Sequence, residues 1–167
     1  MLNVLFLCTG NSARSILAEA ILAKDGAGRF ASHSAGSFPK GEPHPMALTV
    51  LASRGYAADG WRSKSWNAFS GEDAPPIDVV ITVCDNAAGE VCPVWPGHPV
   101  QAHWGIEDPA AVEGEGQRAA FDAAFDQMKA RIDAFLALPV ETLSAGALLS
   151  ELRTIGRFDG ASAKARS

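Results

Sequence analysis

Leu2-Asn3-Val4-Leu5-Phe6-Leu7 runs straight into Cys8-Thr9-Gly10-Asn11-Ser12-Ala13-Arg14-Ser15. The first six residues are almost continuously apolar, which predicts a short strand buried on both faces, as in a parallel sheet. From Ala13 the period changes. Ala13, Ile16, Leu17, Ala20 and Ile21 stand at i, i+3, i+4, i+7 and i+8, one face of an amphipathic helix, and Gly26 and Gly28 supply stop signals. Strand, polar loop and helix thus fill the first 28 residues.

Cys8 and Arg14 enclose five residues of that loop. A loop that enters a helix N-terminus aims several backbone N–H groups at one point, and the helix dipole adds positive potential there. Thr9, Gly10, Asn11, Ser12, Ala13 and Ser15 would line an oxyanion site of phosphate size, with Arg14 adding a two-pronged guanidinium. The same field lowers the pKa of a thiol at Cys8 and makes it a nucleophile. Gly10 allows close approach of the loop backbone, and Ser15 could donate to the Cys8 sulfur.

Working outward, residues 29–35 carry a weak strand signal, and Met46–Arg54 reads as a short helix after Pro43 and Pro45. Residues 60–76 are polar and unassigned. Ile77–Val83 is a second buried strand ending at Cys84. Residues 85–99 hold three prolines and no periodicity, a structureless stretch of the kind that tends to be functional. Val100–Trp104 closes the strands. Phe121, Ala124, Phe125, Met128, Ile132 and Phe135 mark the core stripe of a long helix over 115–137, ended by Pro139. Leucines over 141–155 suggest a further helix, and 156–167 reads as a frayed tail. Strands alternating with helices predict an α/β fold with a parallel sheet.

The chain has 167 residues, 47% hydrophobic and 20% charged, enough for one domain with a sizeable core. A net charge of −5 disfavours a broad nucleic-acid surface but leaves room for a local anion pocket. No apolar run reaches the roughly 20 residues of a membrane span. Met1-Leu2-Asn3-Val4 has no basic leader region, so a cytoplasmic protein is expected. Three cysteines, an odd number, point to thiol chemistry or to bystanders rather than to a closed disulfide framework.

His103-Trp104-Gly105-Ile106-Glu107-Asp108-Pro109 follows the last strand. A thiolate that attacks a tetrahedral oxyanion must expel an oxygen, which needs a proton. Asp108 is the candidate general acid, with Glu107 its local competitor. An Asp before Pro is also a common helix cap, and the two roles are compatible.

The Cys8–Ser15 loop resembles the anion loop of the low-molecular-weight protein tyrosine phosphatase superfamily, with Asp108-Pro109 resembling that family's general acid. Within the superfamily the chain is most similar to arsenate reductases. Further support comes from the strand into Cys84, from Cys92-Pro93, from His103-Trp104-Gly105 and from Ser34-Ala35-Gly36. The resemblance covers residues 2–137 and implies a three-layer α/β sandwich with a central four-stranded parallel sheet over 1–139, leaving 140–167 as a helical extension and tail. It also implies a reaction. Cys8 attacks arsenate, for which phosphate and sulfate are mimics. Asp108 protonates the departing hydroxyl. Cys84 then attacks Cys8 and releases arsenite, Cys92 attacks Cys84, and an external thiol resets the enzyme. Thioredoxin, glutaredoxin with glutathione, or another thiol remain open as that reductant, and no bound cofactor is expected. Seven residues separate Cys84 from Cys92 in a Gly- and Pro-bearing segment that has little to hold it, as a moving thiol requires.

Asn11, Glu19 and Ser34 match positions at which some members hold a potassium ion, but the further aspartate expected around Ser65-Trp66-Asn67 is missing, so no metal is assigned. Ala13 stands where many arsenate reductases carry an additional cysteine. The competing activity is that of a tyrosine phosphatase, which would use Cys8, Arg14 and Asp108 without Cys84 or Cys92. Ala110 stands where such enzymes commonly place a tyrosine, and the single tyrosine, Tyr56, provides no aromatic-walled cleft.

Overall fold

The computed structural model of the chain describes residues 1–89, 95 and 97–166. Four strands, β1 (Leu2–Leu7), β2 (Phe30–Ala35), β3 (Val79–Thr82) and β4 (Val100–His103), form one parallel sheet in the order β2-β1-β3-β4. Helix α1 (Arg14–Asp25) connects β1 to β2, and α2 (Pro45–Ser53) and α4 (Gln117–Leu136) pack beside it. Alternate residues of each strand face opposite sides. Val4, Phe6, Val79 and Ile81 meet the helices in the main core, whereas Leu5, Leu7 and Val80 meet Phe69, Ile77 and Trp95 on the other face. A 3₁₀ turn at Trp66–Phe69 gives the otherwise polar 60–76 stretch its anchor in that second layer.

The α/β parallel sheet expected from the sequence is present. Two segments differ from expectation. Directly after Cys84 the chain is not irregular but makes a short helix, α3 (Asp85–Gly89), capped by cysteine itself: the Ala87 N–H donates to Cys84 Sγ at 3.3 Å. Nor does the tail fray. After α5 (Ala145–Gly156) it folds back, bridges Ala161 to Ile106 and ends in α6 (Ala163–Arg166). The clamp is Arg131 of α4, fully buried, which donates to the carbonyls of Phe158 and Asp159. Leu148, Leu152 and Ile155 of α5 join the main core, and the Trp104 indole N–H donates to the Leu152 carbonyl at 2.9 Å. The Phe stripe of α4 is buried in that core as its spacing predicts.

Strand order fixes where chemistry can happen. The connection from β1 leads to β2 on one side, while β3 and β4 add on the other, so a crevice opens beyond the carboxyl ends of β1 and β3. Leu7 pairs with Thr82, which brings Cys8 and Cys84, just past those ends, into the same crevice.

Candidate active site

The loop between β1 and α1 is held by buried polar bonds rather than by packing. Asn11 is fully buried in a left-handed conformation (φ 44°), which asparagine tolerates better than most residues. Its Nδ2 donates to Ser15 Oγ and Ser34 Oγ, each at 2.9 Å, and its Oδ1 accepts from the Lys64 N–H at 2.7 Å. Ser12 O accepts from His44 N, and Gly10 O from Lys40 N. Gly36 is required for a steric reason. A Cβ there would lie 2.6 Å from the Cys8 carbonyl oxygen and would also strike that of Thr9. The Ser34-Ala35-Gly36 end of β2 therefore lies directly under the loop.

Helix α1 starts without a side-chain cap and without an acidic residue in its first turn. Its positive end is left for an anion. Arg14 lies across the pocket mouth, its side chain 12% exposed. Its Nη1 donates to the Ile106 carbonyl at 2.8 Å, and Nη2 lies 3.8 Å from Asp108 Oδ2. Its Nε is buried and has no partner among the described residues. The cavity so formed measures about 330 Å³ and is lined by the loop, Arg14, Cys84, Asn86, Asp108 and Ala110, with Phe38 and Lys40 at its rim. Asp108 lines the cavity, where the acid role expected of it would place it, and its Oδ1 caps the following turn by accepting from Ala110 N at 3.0 Å. Glu107 lies elsewhere, on a separate cavity near the tail. Another cavity, about 430 Å³ along β4 and α5, contains no cysteine.

Cys8 and Cys84 are both buried, both free, and hydrogen-bonded to each other. They titrate as a pair. The hydrogen bond to Cys84 and then burial push Cys8 well above the ordinary thiol value, against the pull of Arg14 and the Gly10 N–H. Cys84 is pushed down to about 5, chiefly by the hydrogen bond from Cys8 and, against burial, by the N–H groups of Ala87 and Thr9 and the Thr9 hydroxyl. One negative charge is thus available to the pair well below neutral pH, resting on Cys84 while the proton stays on Cys8. The sequence alone placed the charge on Cys8, because the donors around Cys84 come from Thr9 and from a helix that local pattern did not reveal.

Asn11, Glu19 and Ser34 do come together, but their polar atoms already serve one another. Ser34 Oγ donates to Glu19 Oε1 at 2.6 Å, and the Lys64 ammonium stands 3.7 Å from the same oxygen. Asn11 Oδ1 is taken by the Lys64 N–H. This donor set does not suit a metal ion, because a side-chain cation already supplies the positive charge. Ser15 is fully buried and accepts from Asn11. Cys92 lies outside the described residues. Lys64 and Lys40 were not foreseen, and Gly36 was noted only as part of Ser34-Ala35-Gly36, without its steric role. Lys64 sits in a stretch without periodicity.

The family profile described as low molecular weight phosphotyrosine protein phosphatase matches residues 3–147. The chain belongs to that family. Among its relatives is an arsenate reductase of Bacillus licheniformis, 34% identical over 135 residues, covering 80% of this chain and 94% of that one. A solved arsenate reductase in its oxidized state superposes with a TM-score of 0.68 at 29% identity, covering 82% of this chain and 98% of the other. A thioredoxin-dependent arsenate reductase from Corynebacterium glutamicum matches with a TM-score of 0.55 at 27% identity, over 77% of this chain and 59% of that one. This family member thus resembles enzymes of the reductase branch, and it carries residues beyond 147 that lie outside the family match. Among the described residues no helix is long and apolar enough to cross a membrane.

Proposed function

We propose that the protein reduces arsenate to arsenite, with Cys8 as nucleophile, Arg14 as oxyanion clamp, Asp108 as general acid and Cys84 as the second thiol. The observation that carries this reading is the second free cysteine, which lines the anion cavity together with Cys8. A phosphatase has no use for it.

Arsenate takes the place prepared for a tetrahedral oxyanion, against the uncapped start of α1 and the Arg14 guanidinium. Cys8 yields its proton along the hydrogen bond to Cys84 as it attacks arsenic. The Cys8 Sγ–As bond forms, one As–OH bond breaks, and the hydroxyl leaves as water with the proton of Asp108. Net, the Asp108 proton and a hydroxyl have become water, and the thiol proton has moved from Cys8 to Cys84. Cys84 then attacks Cys8 Sγ. The S–S bond forms, the S–As bond breaks with its electron pair on arsenic, and As(V) becomes As(III) at the cost of two thiols oxidised to one disulfide. The proton of Cys84 goes to the arsenite oxygen. Cys92 is proposed, from the sequence, to take Cys84 in turn and free Cys8.

An external thiol reductant must restore the dithiol. A thioredoxin-type protein is favoured by the thioredoxin-dependent relative, with glutaredoxin and glutathione as the other source. A cytoplasmic setting, where thiols are kept reduced, suits that requirement.

The test is arsenate-dependent NADPH oxidation, supplied in one assay with thioredoxin and its reductase and in another with glutathione, glutaredoxin and glutathione reductase. Turnover is expected in at least one, abolished by Cys8→Ser and by Cys84→Ser. No turnover in either, with hydrolysis of p-nitrophenyl phosphate that survives Cys84→Ser, would replace the reductase by a phosphatase.

A further inference from the structure

Asp85, the first residue of α3 and the neighbour of Cys84, is gripped by groups that arrive from far along the chain. Its Oδ1 accepts from Ser162 Oγ at 2.6 Å and from His103 Nε2 at 2.7 Å. A carboxylate can only accept, so His103 donates through Nε2. Its other ring nitrogen meets Thr82 Oγ1 at 2.7 Å, which braces the imidazole on the end of β3.

Ser162 is equally well fixed. Its N–H donates to the Gly105 carbonyl at 2.9 Å, the preceding Ala161 bridges Ile106, and its hydroxyl also accepts from Ala165 N at the start of α6. Asp85, His103 and Ser162 close over Gly105. A Cβ at Gly105 would lie 2.5 Å from His103 Nε2, 2.5 Å from Ser162 Oγ and 2.6 Å from Asp85 Oδ1, so only glycine leaves room for the cluster. The next carbonyl, that of Ile106, is the one that receives Arg14 Nη1. The tail therefore docks on the strip that orients Arg14 and, through one side chain, on the helix that follows Cys84.

Solvation of Asp85 does not require this arrangement. The Asp85 side chain is 44% exposed and could be satisfied by water. Burial raises its pKa, yet the hydrogen bonds from Ser162 and His103 outweigh that and hold the carboxyl below its usual value, so the ionised form is the one the cluster is built around. What the cluster does fix is the position of α3. The described part of that helix is Asp85–Gly89, and Cys84 Sγ caps it.

We propose that the C-terminal segment from Arg157 to Arg166 is a positioning element for Cys84: Ser162, together with His103, anchors Asp85 and so keeps α3 docked with the Cys84 sulfur against Cys8. Ser162 touches neither substrate nor reacting sulfur and acts through Asp85. The kinetic consequence in arsenate reduction rests on the function proposed above. The positioning itself does not.

The experiment compares Ser162→Ala, Ser162→Thr and the parent, all carrying Cys92→Ser so that one disulfide alone can form. The first readout is the rate at which Cys8 and Cys84 close to a disulfide under limiting diamide, which needs no arsenate. The second is hydrogen exchange at the Ala87 and Ala88 amides. The third is hydrolysis of p-nitrophenyl phosphate, which uses the Cys8 loop without Cys84. For Ser162→Ala, closure should slow by roughly five- to tenfold and amide protection in α3 should fall by a similar factor, as expected for loss of one hydrogen bond to a charged group. Hydrolysis should stay within about twofold, and Ser162→Thr should restore the first two. If Ser162→Ala does not fold, Asp85→Ala takes its place with the same expectations. Unchanged closure and exchange in the substituted protein would overturn the proposal. So would exchange that rises in β1 and α1 as much as in α3, since the segment would then be general ballast. If closure slows as expected but no arsenate is reduced in any assay, the proposed function fails and the positioning role stands.

Discussion

The two thiols of the cavity are held in opposite ways. The Cys8 loop is fixed largely through backbone groups and short side chains, from the loop itself, the neighbouring strand and the Lys64 N–H: Asn11 bonds Ser15, Ser34 and Lys64, and Gly36 makes room for the loop carbonyls. Cys84 is fixed from far away, through Asp85, by His103 and by Ser162, which is 77 residues beyond Asp85 in sequence. The first arrangement is rigid and suits a site that must present the same set of N–H groups to every anion. The second hangs a short helix on a few side-chain bonds, which suits a thiol that must be poised for one exchange and then move. Rigidity and poise are thus assigned to different cysteines of one cavity.

That division predicts where damage should be shared and where it should be separable. Arg14 belongs to the rigid half. Its guanidinium bonds the Ile106 carbonyl and faces Asp108 across the pocket. Lysine carries the charge but cannot span both partners or fork onto two oxygens. Arg14→Lys is expected to lower arsenate reduction and p-nitrophenyl phosphate hydrolysis alike, each by about 10²–10³ in kcat/KM, the range for loss of a preorganised oxyanion donor. The check is steady-state kinetics with both substrates. A loss confined to arsenate would mean that Arg14 serves the exchange half rather than the anion loop, and the division would be wrong.

A smaller effect sharpens the electrostatic side of the comparison. The proton of the pair rests on Cys8 because Cys84 accepts its hydrogen bond. In Cys84→Ala that raising influence disappears, while Arg14 and the Gly10 N–H still favour the thiolate. The Cys8 pKa is therefore expected to fall in the variant. In the parent, the charge of the pair is present above about pH 5 and lost as the pH falls through that value. Iodoacetamide alkylation of each cysteine across pH, followed by mass spectrometry, measures both. A Cys8 pKa that rises in Cys84→Ala would show that Cys84 stabilises the Cys8 thiolate instead of competing for its charge.

Much of this was legible in the sequence, and the reason is locality. A buried strand, a glycine-bearing loop and an amphipathic helix are contiguous patterns, so β1, the anion loop and α1 could be read directly, as could β3 and the Phe stripe of α4. The Asp108 cap was readable because it is set by the position before Pro109. Helix α3 was missed because its described residues, Asp85–Gly89, are small or polar and show no apolar period. The docking of the tail was missed because it depends on a fully buried arginine in α4, on one serine and on a glycine that makes room for three side chains. None of these is unusual in its own neighbourhood. The ammonium beside Asn11, Glu19 and Ser34, where no metal was assigned, was missed for the same reason: Lys64 reaches Glu19 from an aperiodic stretch.

Lys64 also gives the most delicate test of the rigid half. Glu19 is buried beneath the loop, and burial raises its pKa, with Ser34 and the Lys64 ammonium pulling it back down. Lys64→Met would leave Glu19 with the Ser34 hydroxyl alone and raise its pKa further. An acid whose folded pKa lies above its unfolded value binds its proton more tightly in the native state. The native state then loses stability as the pH rises from the unfolded value of 4.5 through the folded one. The variant should accordingly be less stable than the parent at neutral pH, by about 1 kcal/mol for a pair at 3.7 Å that is still partly exposed. The deficit should shrink as the pH is lowered toward that of the free carboxyl, because a protonated Glu19 needs no ammonium. Urea unfolding of both proteins at several pH values measures the difference. A deficit that stays constant with pH would mean that Lys64 supports the loop through the packing of its side-chain stem, with no part played by its charge.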